Sequence, residues 1–133
     1  MKPKRIILVR HGECDANIDE NKFATIPDYT IELTPKGYEQ ALEAGKKLKR
    51  IVKEETLYFY VSPFWRTRST FEAIVKAFPR EQFHYSEEPR LREQEWGYLR
   101  TEQELQQLKL QRREYGISVS YTHLRAHETC ADL

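Results

Sequence analysis

Short apolar runs alternate along the chain with segments of helical spacing. Residues 6–9 form a continuous apolar and largely β-branched run, which is typical of a strand covered on both faces. Leu57–Val61, with the sequence LYFYV, predicts a second strand, and residues 82–85 predict a weaker third. Residues 18–33 are polar and include Pro27, so we expect an irregular loop there.

Three other segments favour helices. They are residues 35–52, 62–78 and 101–115. Thr34 is placed to cap the first helix, and Pro35 occupies its first helical position. Ser62 and Pro63 open the second helix, which Pro79 ends. The third segment has few apolar anchors and is too short to support a coiled-coil partner.

The alternation of strands and helices predicts an α/β protein. Strands that are separated by helices pair in parallel through right-handed crossovers, and the helices then cover both faces of the sheet. We therefore expect a three-layer α/β/α architecture with a mostly parallel sheet. In such sheets, ligands bind at the carboxyl ends of the strands.

Composition narrows the class of protein further. The 133 residues suit one domain, and 39% hydrophobic and 32% charged residues are typical of a soluble globular protein. The net charge of +1 argues against a nucleic-acid partner, and the apolar runs are too short for a membrane span or a signal peptide. We expect a cytoplasmic protein. Cys14 and Cys130 suggest neither a disulfide framework nor a metal site.

Basic side chains follow the first two predicted strands. Arg10 and His11 come directly after residues 6–9, while Arg66 and Arg68 lie about one turn after Ser62. The sheet topology brings these groups to the same edge. Guanidinium groups donate bidentate hydrogen bonds to phosphate oxygens, so this edge predicts a site for a phosphoryl group.

The neighbouring histidine suggests covalent chemistry on that phosphoryl group. Charged neighbours keep His11 neutral, and a hydrogen bond from one ring nitrogen to a backbone carbonyl would leave the other nitrogen oriented and nucleophilic. Gly12 lets the backbone approach a ligand closely. A nearby carboxyl group would donate a proton to the leaving alkoxide. This chemistry requires no metal ion.

Four motifs occur in order along the chain: RHGE followed by Asn17, LTPKGYEQA, VSPFWRTRST and LREQEWG. Together they resemble the histidine phosphatase superfamily, and within it the eukaryotic phosphoglycerate mutase-like proteins. RHG alone is a weak pattern, whereas four motifs in this order and spacing are specific. The similarity covers roughly residues 4–117. It implies the Rossmann-like phosphoglycerate mutase fold.

The resemblance also implies a role for five residues. His11 becomes the phosphohistidine, and Glu93 donates the proton to the leaving group. Arg10 and Arg66 clamp the phosphoryl group, and Asn17 makes a further contact with it. The resemblance implies no cofactor.

The function implied by the resemblance is hydrolysis of a phosphomonoester through a phosphohistidine intermediate. Mutase-type phosphoryl transfer on a small metabolite such as phosphoglycerate is the first alternative, and a non-catalytic module that binds phosphate ligands is the second. The expected partner is a small phosphorylated metabolite or another phosphomonoester. The oligomeric state is not indicated.

The end of the chain departs from the family pattern. Residues 119–129 resemble the translation, in one frame, of an adapter oligonucleotide from transposase-based sequencing libraries. We therefore expect an incomplete histidine phosphatase domain at 1–118, with its C-terminal part missing, and a non-native tail at 119–133. The family's second catalytic histidine has no counterpart, because His84 lies in the wrong place and His123 and His127 belong to the tail. We expect this chain to have little or no activity and marginal stability.

Simpler interpretations of the same residues stay open at this point. Glu93 would pair with Arg90 or Arg92 if it were an ordinary surface carboxylate. Arg66 and Arg68 would form a solvated helix face, although the family's clamp position matches Arg66 and leaves Arg68 a structural role. Cys14 replaces the small hydroxyl residue usual in the family, and it is either a wall of the site or a reactive thiol.

Overall fold

The computed structural model describes residues 2–93 and 100–114. Its helices are α1 (Asp15–Ile18), α2 (Lys22–Thr25), α3 (Pro35–Val52), α4 (Trp65–Val75) and α5 (Glu102–Glu114). Its strands are β1 (Leu57–Val61) and β2 (Phe83–Glu87), and 3₁₀ turns occur at Asp28–Thr30, Arg80–Gln82 and Pro89–Leu91. The expected tail at 119–133 lies outside the described residues.

The chain divides into two compact units. One unit comprises Met1–Arg10 and Gln103–Leu133, and the other comprises His11–Glu102. The second unit contains both strands and helices α1 to α4, so it is the unit that forms the fold around the candidate site. Among the helices of the described residues, none is long and apolar enough to cross a membrane.

The two strands form a parallel sheet. Leu57 pairs with Phe83 at one end of the register, and Val61 pairs with Glu87 at the other. Helix α4 connects them, which makes a β-α-β unit. The predicted α/β class with a parallel sheet is confirmed.

The core lies between this sheet and helices α3 and α4. Its buried residues are Leu48, Val52, Ile74, Phe78 and Phe83. Phe59 of β1 packs at their centre, with ring centroids 5.2 Å from Phe71, 6.4 Å from Phe78 and 6.0 Å from Phe83. These edge-on contacts add to the stabilisation from burial of the rings.

The helix predicted at 35–52 is confirmed at Pro35–Val52. Thr34 adopts extended backbone, and its Oγ1 accepts a hydrogen bond of 3.0 Å from the backbone N–H of Gly37. This bond satisfies one of the free N–H groups at the helix start, and Pro35 at the first position has no N–H to satisfy. Local sequence therefore decides where α3 begins.

The predicted second helix is longer than the observed one. Phe64 is extended (φ −67°, ψ 141°), so α4 begins at Trp65 rather than at Ser62. At its other end the bonds of an α-helix give way to tighter turns, including one of 3.0 Å from the N–H of Phe78 to the carbonyl of Val75. These turns occupy the residues before Pro79.

The strand predicted at residues 6–9 is wrong. These residues adopt no strand, and Ile6 and Leu8 are 81% and 49% exposed. An apolar strand needs hydrogen-bonded neighbours and cover on both faces, and in the described residues the sheet contains only β1 and β2. The apolar character of residues 6–9 is therefore not sufficient to predict that their backbone pairs with a neighbouring strand.

The irregular loop predicted at 18–33 is also wrong in detail. It contains α2 and a 3₁₀ turn, and it supports a small core of its own. Ile31 of this segment is buried together with Cys14 and Ala16, and Phe23 and Leu33 pack against them. The polar segment therefore folds over a few apolar side chains that have no regular spacing.

Gly45 sits where α3 crosses α4, and a Cβ atom added there would lie 2.5 Å from the carbonyl oxygen of Ile74. Gly45→Ala usually stabilises a helix by about 1 kcal/mol. Here we expect destabilisation of about 2 kcal/mol, because the backbones must separate. Urea denaturation measures the change. The exposed Lys47→Ala should stay within about 0.5 kcal/mol, and a stabilising Gly45→Ala would contradict the close packing.

Candidate functional site

Two glycines hold the RHG segment against the start of α3. A Cβ atom at Gly12 would lie 2.2 Å from the carbonyl oxygen of Gly37, and a Cβ atom at Gly37 would lie 1.9 Å from that of Glu13. The Gly12 N–H also donates to Thr70 Oγ1 at 3.1 Å. The backbone that carries His11 is therefore fixed by contacts with both long helices of this unit.

His11 has one ring nitrogen on a backbone carbonyl. Its Nδ1 lies 2.7 Å from the carbonyl oxygen of Gly12. Because a carbonyl oxygen only accepts hydrogen bonds, Nδ1 carries the proton in this contact, and Nε2 of the neutral ring keeps a lone pair. The side chain is 11% exposed. This is the geometry that a nucleophilic imidazole requires.

Arg66 is buried in the first turn of α4. Its side chain is 3% exposed, so the alternative of a solvated helix face is wrong for this residue. Nη1 donates to Asp28 twice, to the carboxylate at 2.8 Å and to the carbonyl at 2.7 Å. Nη2 donates to Glu93 Oε2 at 3.3 Å. The guanidinium group is thus held between the carboxyl groups of Asp28 and Glu93.

Glu93 joins the histidine and the arginine. Its Oε2 lies 4.0 Å from His11 Nε2 as well as 3.3 Å from Arg66 Nη2. The alternative pairing with Arg90 or Arg92 is therefore not the one observed. The Glu93 side chain is 37% exposed, so solvent reaches the carboxyl group.

Asn17 lies in α1 and points its amide oxygen back at Cys14. Asn17 Oδ1 accepts from the Cys14 N–H at 2.9 Å and from the Cys14 thiol at 3.2 Å. With the oxygen engaged in this way, the amide NH₂ remains as the donor that could contact an anion. The structure thus holds Asn17 in a donor orientation, which suits its predicted role.

Cys14 is 2% exposed, and burial raises the pKa of its thiol. A raised pKa disfavours the thiolate, which is the reactive form. The position therefore fits a buried wall of the site better than a reactive thiol.

Arg68 and Arg10 are the other two arginines that the sequence predicts at this edge of the sheet, and their surroundings differ from those of Arg66. Arg68 is 47% exposed and pairs with Glu87 at 2.5 Å, which links α4 to the end of β2. This structural contact agrees with its exclusion from the predicted clamp. Arg10 is exposed and belongs to the other unit, so its role as a phosphate ligand stays a prediction.

Two residues of the cluster have no signal in the sequence. Asp28 pairs with Arg66, and burial raises the pKa of its carboxyl group while the Arg66 guanidinium opposes that shift. Thr70 Oγ1 accepts from Gly12 N and donates to the Arg66 carbonyl at 2.8 Å. The Asp28–Arg66 pair and the Gly12–Thr70 hydrogen bond join residues far apart in sequence, which local patterns do not reveal. The described residues contain no cluster of side chains suited to a metal ion.

Comparison with known proteins identifies the family. The model of the histidine phosphatase superfamily (branch 1) matches residues 6–132. The chain belongs to the histidine phosphatase superfamily. The mixed helix and strand composition and the parallel sheet agree with the α/β fold of this histidine phosphatase family.

Three curated relatives show which kinds of protein this chain is similar to. The phosphoglycerate mutase-like proteins AT74H and AT74 of Arabidopsis thaliana are each 42% identical to this histidine phosphatase chain, over 87% and 86% of it. The broad-range acid phosphatase DET1 of Saccharomyces cerevisiae is 26% identical over 56% of it. The matches cover 45%, 38% and 33% of these relatives, so the chain spans less than half of their length.

The ion pair between Arg66 and Asp28 predicts how removal of the guanidinium group changes the stability of the fold with pH. In Arg66→Met, the pKa of Asp28 should rise further above its unfolded value, because the opposing guanidinium is gone. A carboxyl group whose pKa is higher in the folded than in the unfolded state lowers the stability of the fold as the pH rises from the unfolded-state pKa to the folded-state pKa. The loss then persists at every higher pH. We expect a small loss near pH 4 and a loss of about 2 kcal/mol at pH 7.

Urea denaturation at both pH values measures this loss. Arg68→Met, an exposed residue of the same helix, is the matched control and should cost less than about 1 kcal/mol. A loss for Arg66→Met that is equal at the two pH values would contradict the buried ion pairs.

Proposed function

We propose that this site hydrolyses phosphomonoesters through a phosphohistidine at His11. The observation that carries the proposal is the orientation of the His11 imidazole. Its Nδ1 is hydrogen-bonded to the Gly12 carbonyl, and its Nε2 faces the Glu93 carboxyl group, which also pairs with Arg66. The proposed partner is a small phosphorylated metabolite or a similar ester in the cytoplasm. Membership of the superfamily supports the reaction class.

The first step is attack of His11 Nε2 on phosphorus. A bond forms between Nε2 and phosphorus as the ester P–O bond breaks, and the electron pair of that bond leaves with the alkoxide. Glu93, once displaced from Arg66 and protonated by solvent, donates that proton to the alkoxide, which departs as an alcohol. Arg66 and Asn17 would hold the non-bridging oxygens and stabilise the charge spread over them.

The second step is hydrolysis of the phosphohistidine. Water attacks phosphorus, Glu93 accepts its proton, and the P–N bond breaks with its electron pair returning to Nε2. Inorganic phosphate leaves, and His11 and Glu93 regain their starting protonation. Proton donor and proton acceptor are thus the same carboxyl group in the two steps.

Phosphate and Glu93 compete for Arg66 in this mechanism. The Nη2 contact with Glu93 is 3.3 Å, whereas the Nη1 contact with the Asp28 carboxylate is 2.8 Å. A phosphoryl oxygen would therefore take the Nη2 side, with Asp28 still anchoring the guanidinium. Release from Arg66 leaves the Glu93 carboxyl group able to turn toward the leaving oxygen.

Exposure supports hydrolysis over mutase transfer. Glu93 is 37% exposed, so water reaches the carboxyl group that must activate it. The names of the Arabidopsis relatives keep phosphoglycerate mutase-type transfer as the alternative. Release of inorganic phosphate, compared with transfer to an added alcohol, distinguishes the two reactions.

His11→Asn should abolish phosphoenzyme formation. The match covers less than half of the relatives' length, so the test uses the full-length natural protein. We expect an acid-labile, base-stable radiolabel from a labelled phosphomonoester in the wild type and none in the variant. His84→Asn, an exposed position on β2, should keep the label. A label retained by His11→Asn would exclude this histidine as the nucleophile.

Glu93→Gln should separate substrates by their leaving groups. For an alkyl phosphate, whose alkoxide needs a proton, kcat/KM should fall by roughly 100-fold or more. For p-nitrophenyl phosphate, whose leaving group is stable without a proton, it should fall less than about tenfold. Glu87→Gln serves as the control, since Glu87 pairs with Arg68 at the end of β2. Equal losses on both substrates would rule out proton donation by Glu93.

A further inference from the structure

An open groove of about 750 Å³ lies in the unit that contains His11 and Arg66. Its walls are Tyr29, Pro63, Phe64, Pro89, Arg90 and Arg92. The volume is within the range of sites that bind small molecules. Its walls combine two aromatic rings and two prolines with two guanidinium groups, so they suit a ligand that is both apolar and anionic.

The groove adjoins the candidate site along three segments. Tyr29 follows Asp28 directly, and Arg92 precedes Glu93 directly. The Phe64 ring lies 4.9 Å from the guanidinium carbon of Arg66. Every segment that supplies a charged partner around Arg66 therefore also supplies a groove wall. A phosphoryl group held by Arg66 would extend its organic part toward this groove.

Only one of the two groove arginines is available to a ligand. Arg90 donates two hydrogen bonds of 2.8 Å to Glu88, one from Nε and one from Nη2, and this pairing lowers the pKa of Glu88 to about 2. Arg92 makes no side-chain hydrogen bond or ion pair within residues 2–93 and 100–114. The groove thus holds one uncompensated positive charge beside two rings.

We propose that Tyr29, Phe64 and Arg92 form a subsite for the leaving group, selecting phosphomonoesters whose alcohol part carries a flat ring and a second anionic group. The ring would stack against Tyr29 and Phe64, and the anionic oxygens would accept hydrogen bonds from Arg92. The inference rests on the proposed function, because it assumes that the phosphoryl group is bound by Arg66.

Binding to the chain itself tests the subsite without requiring turnover. Amide chemical shifts are followed by NMR while inorganic phosphate, phenyl phosphate or 4-carboxyphenyl phosphate is added. We expect the carboxylated ester to bind roughly tenfold tighter than phenyl phosphate, which is one charge-assisted hydrogen bond. Arg92→Met should remove that difference and leave inorganic phosphate binding unchanged. Tyr29→Ala should weaken both aryl esters and leave inorganic phosphate binding unchanged.

Arg50→Met is the matched control, because Arg50 pairs with Glu43 on α3. It should keep the tenfold preference. Equal affinity for the two esters in the wild type, or a preference that survives Arg92→Met, would overturn the subsite. Neither result affects the phosphohistidine test at His11, and a label retained by His11→Asn would leave a measured preference at Arg92 intact. The two proposals can therefore fail separately.

Discussion

The buried guanidinium group of Arg66 is the constraint on which the site depends. A charged side chain that is 3% exposed must find acceptors for its N–H groups inside the protein. Asp28 supplies a carboxylate and a carbonyl, Glu93 supplies a second carboxylate, and the Phe64 ring lies against the guanidinium. One helix residue thereby organises two loops distant in sequence.

This arrangement also affects which anion can bind. Asp28 and Glu93 already accept hydrogen bonds from Nη1 and Nη2 of Arg66, so in the proposed mechanism an incoming anion competes with them for the guanidinium group. A phosphoryl group carries more charge than a monovalent anion and accepts bidentate hydrogen bonds, and it competes better. In the proposed mechanism the same displacement releases Glu93 for proton transfer. Binding of the phosphoryl group and preparation of the acid are then one event.

Backbone packing places the imidazole. Gly12 and Gly37 approach so closely that a methyl group at either one would overlap a carbonyl oxygen, and Thr70 ties Gly12 to α4. The position of His11 is therefore set by backbone contacts rather than by flexible side chains. The proposed covalent mechanism would benefit from this, since an error of about 1 Å in a reacting group lowers the rate strongly.

Local chemistry determined part of this protein from the sequence alone. Thr34 and Pro35 start α3, and LYFYV forms β1, because capping bonds and strand preference depend on adjacent residues. The motifs that resemble a histidine phosphatase indicated the family, which the comparison confirmed. Only the tertiary structure decided that residues 6–9 form no strand, that Arg66 is buried, and that Asp28 and Glu93 are its partners. Pairing and burial depend on residues tens of positions apart, and no local pattern records them.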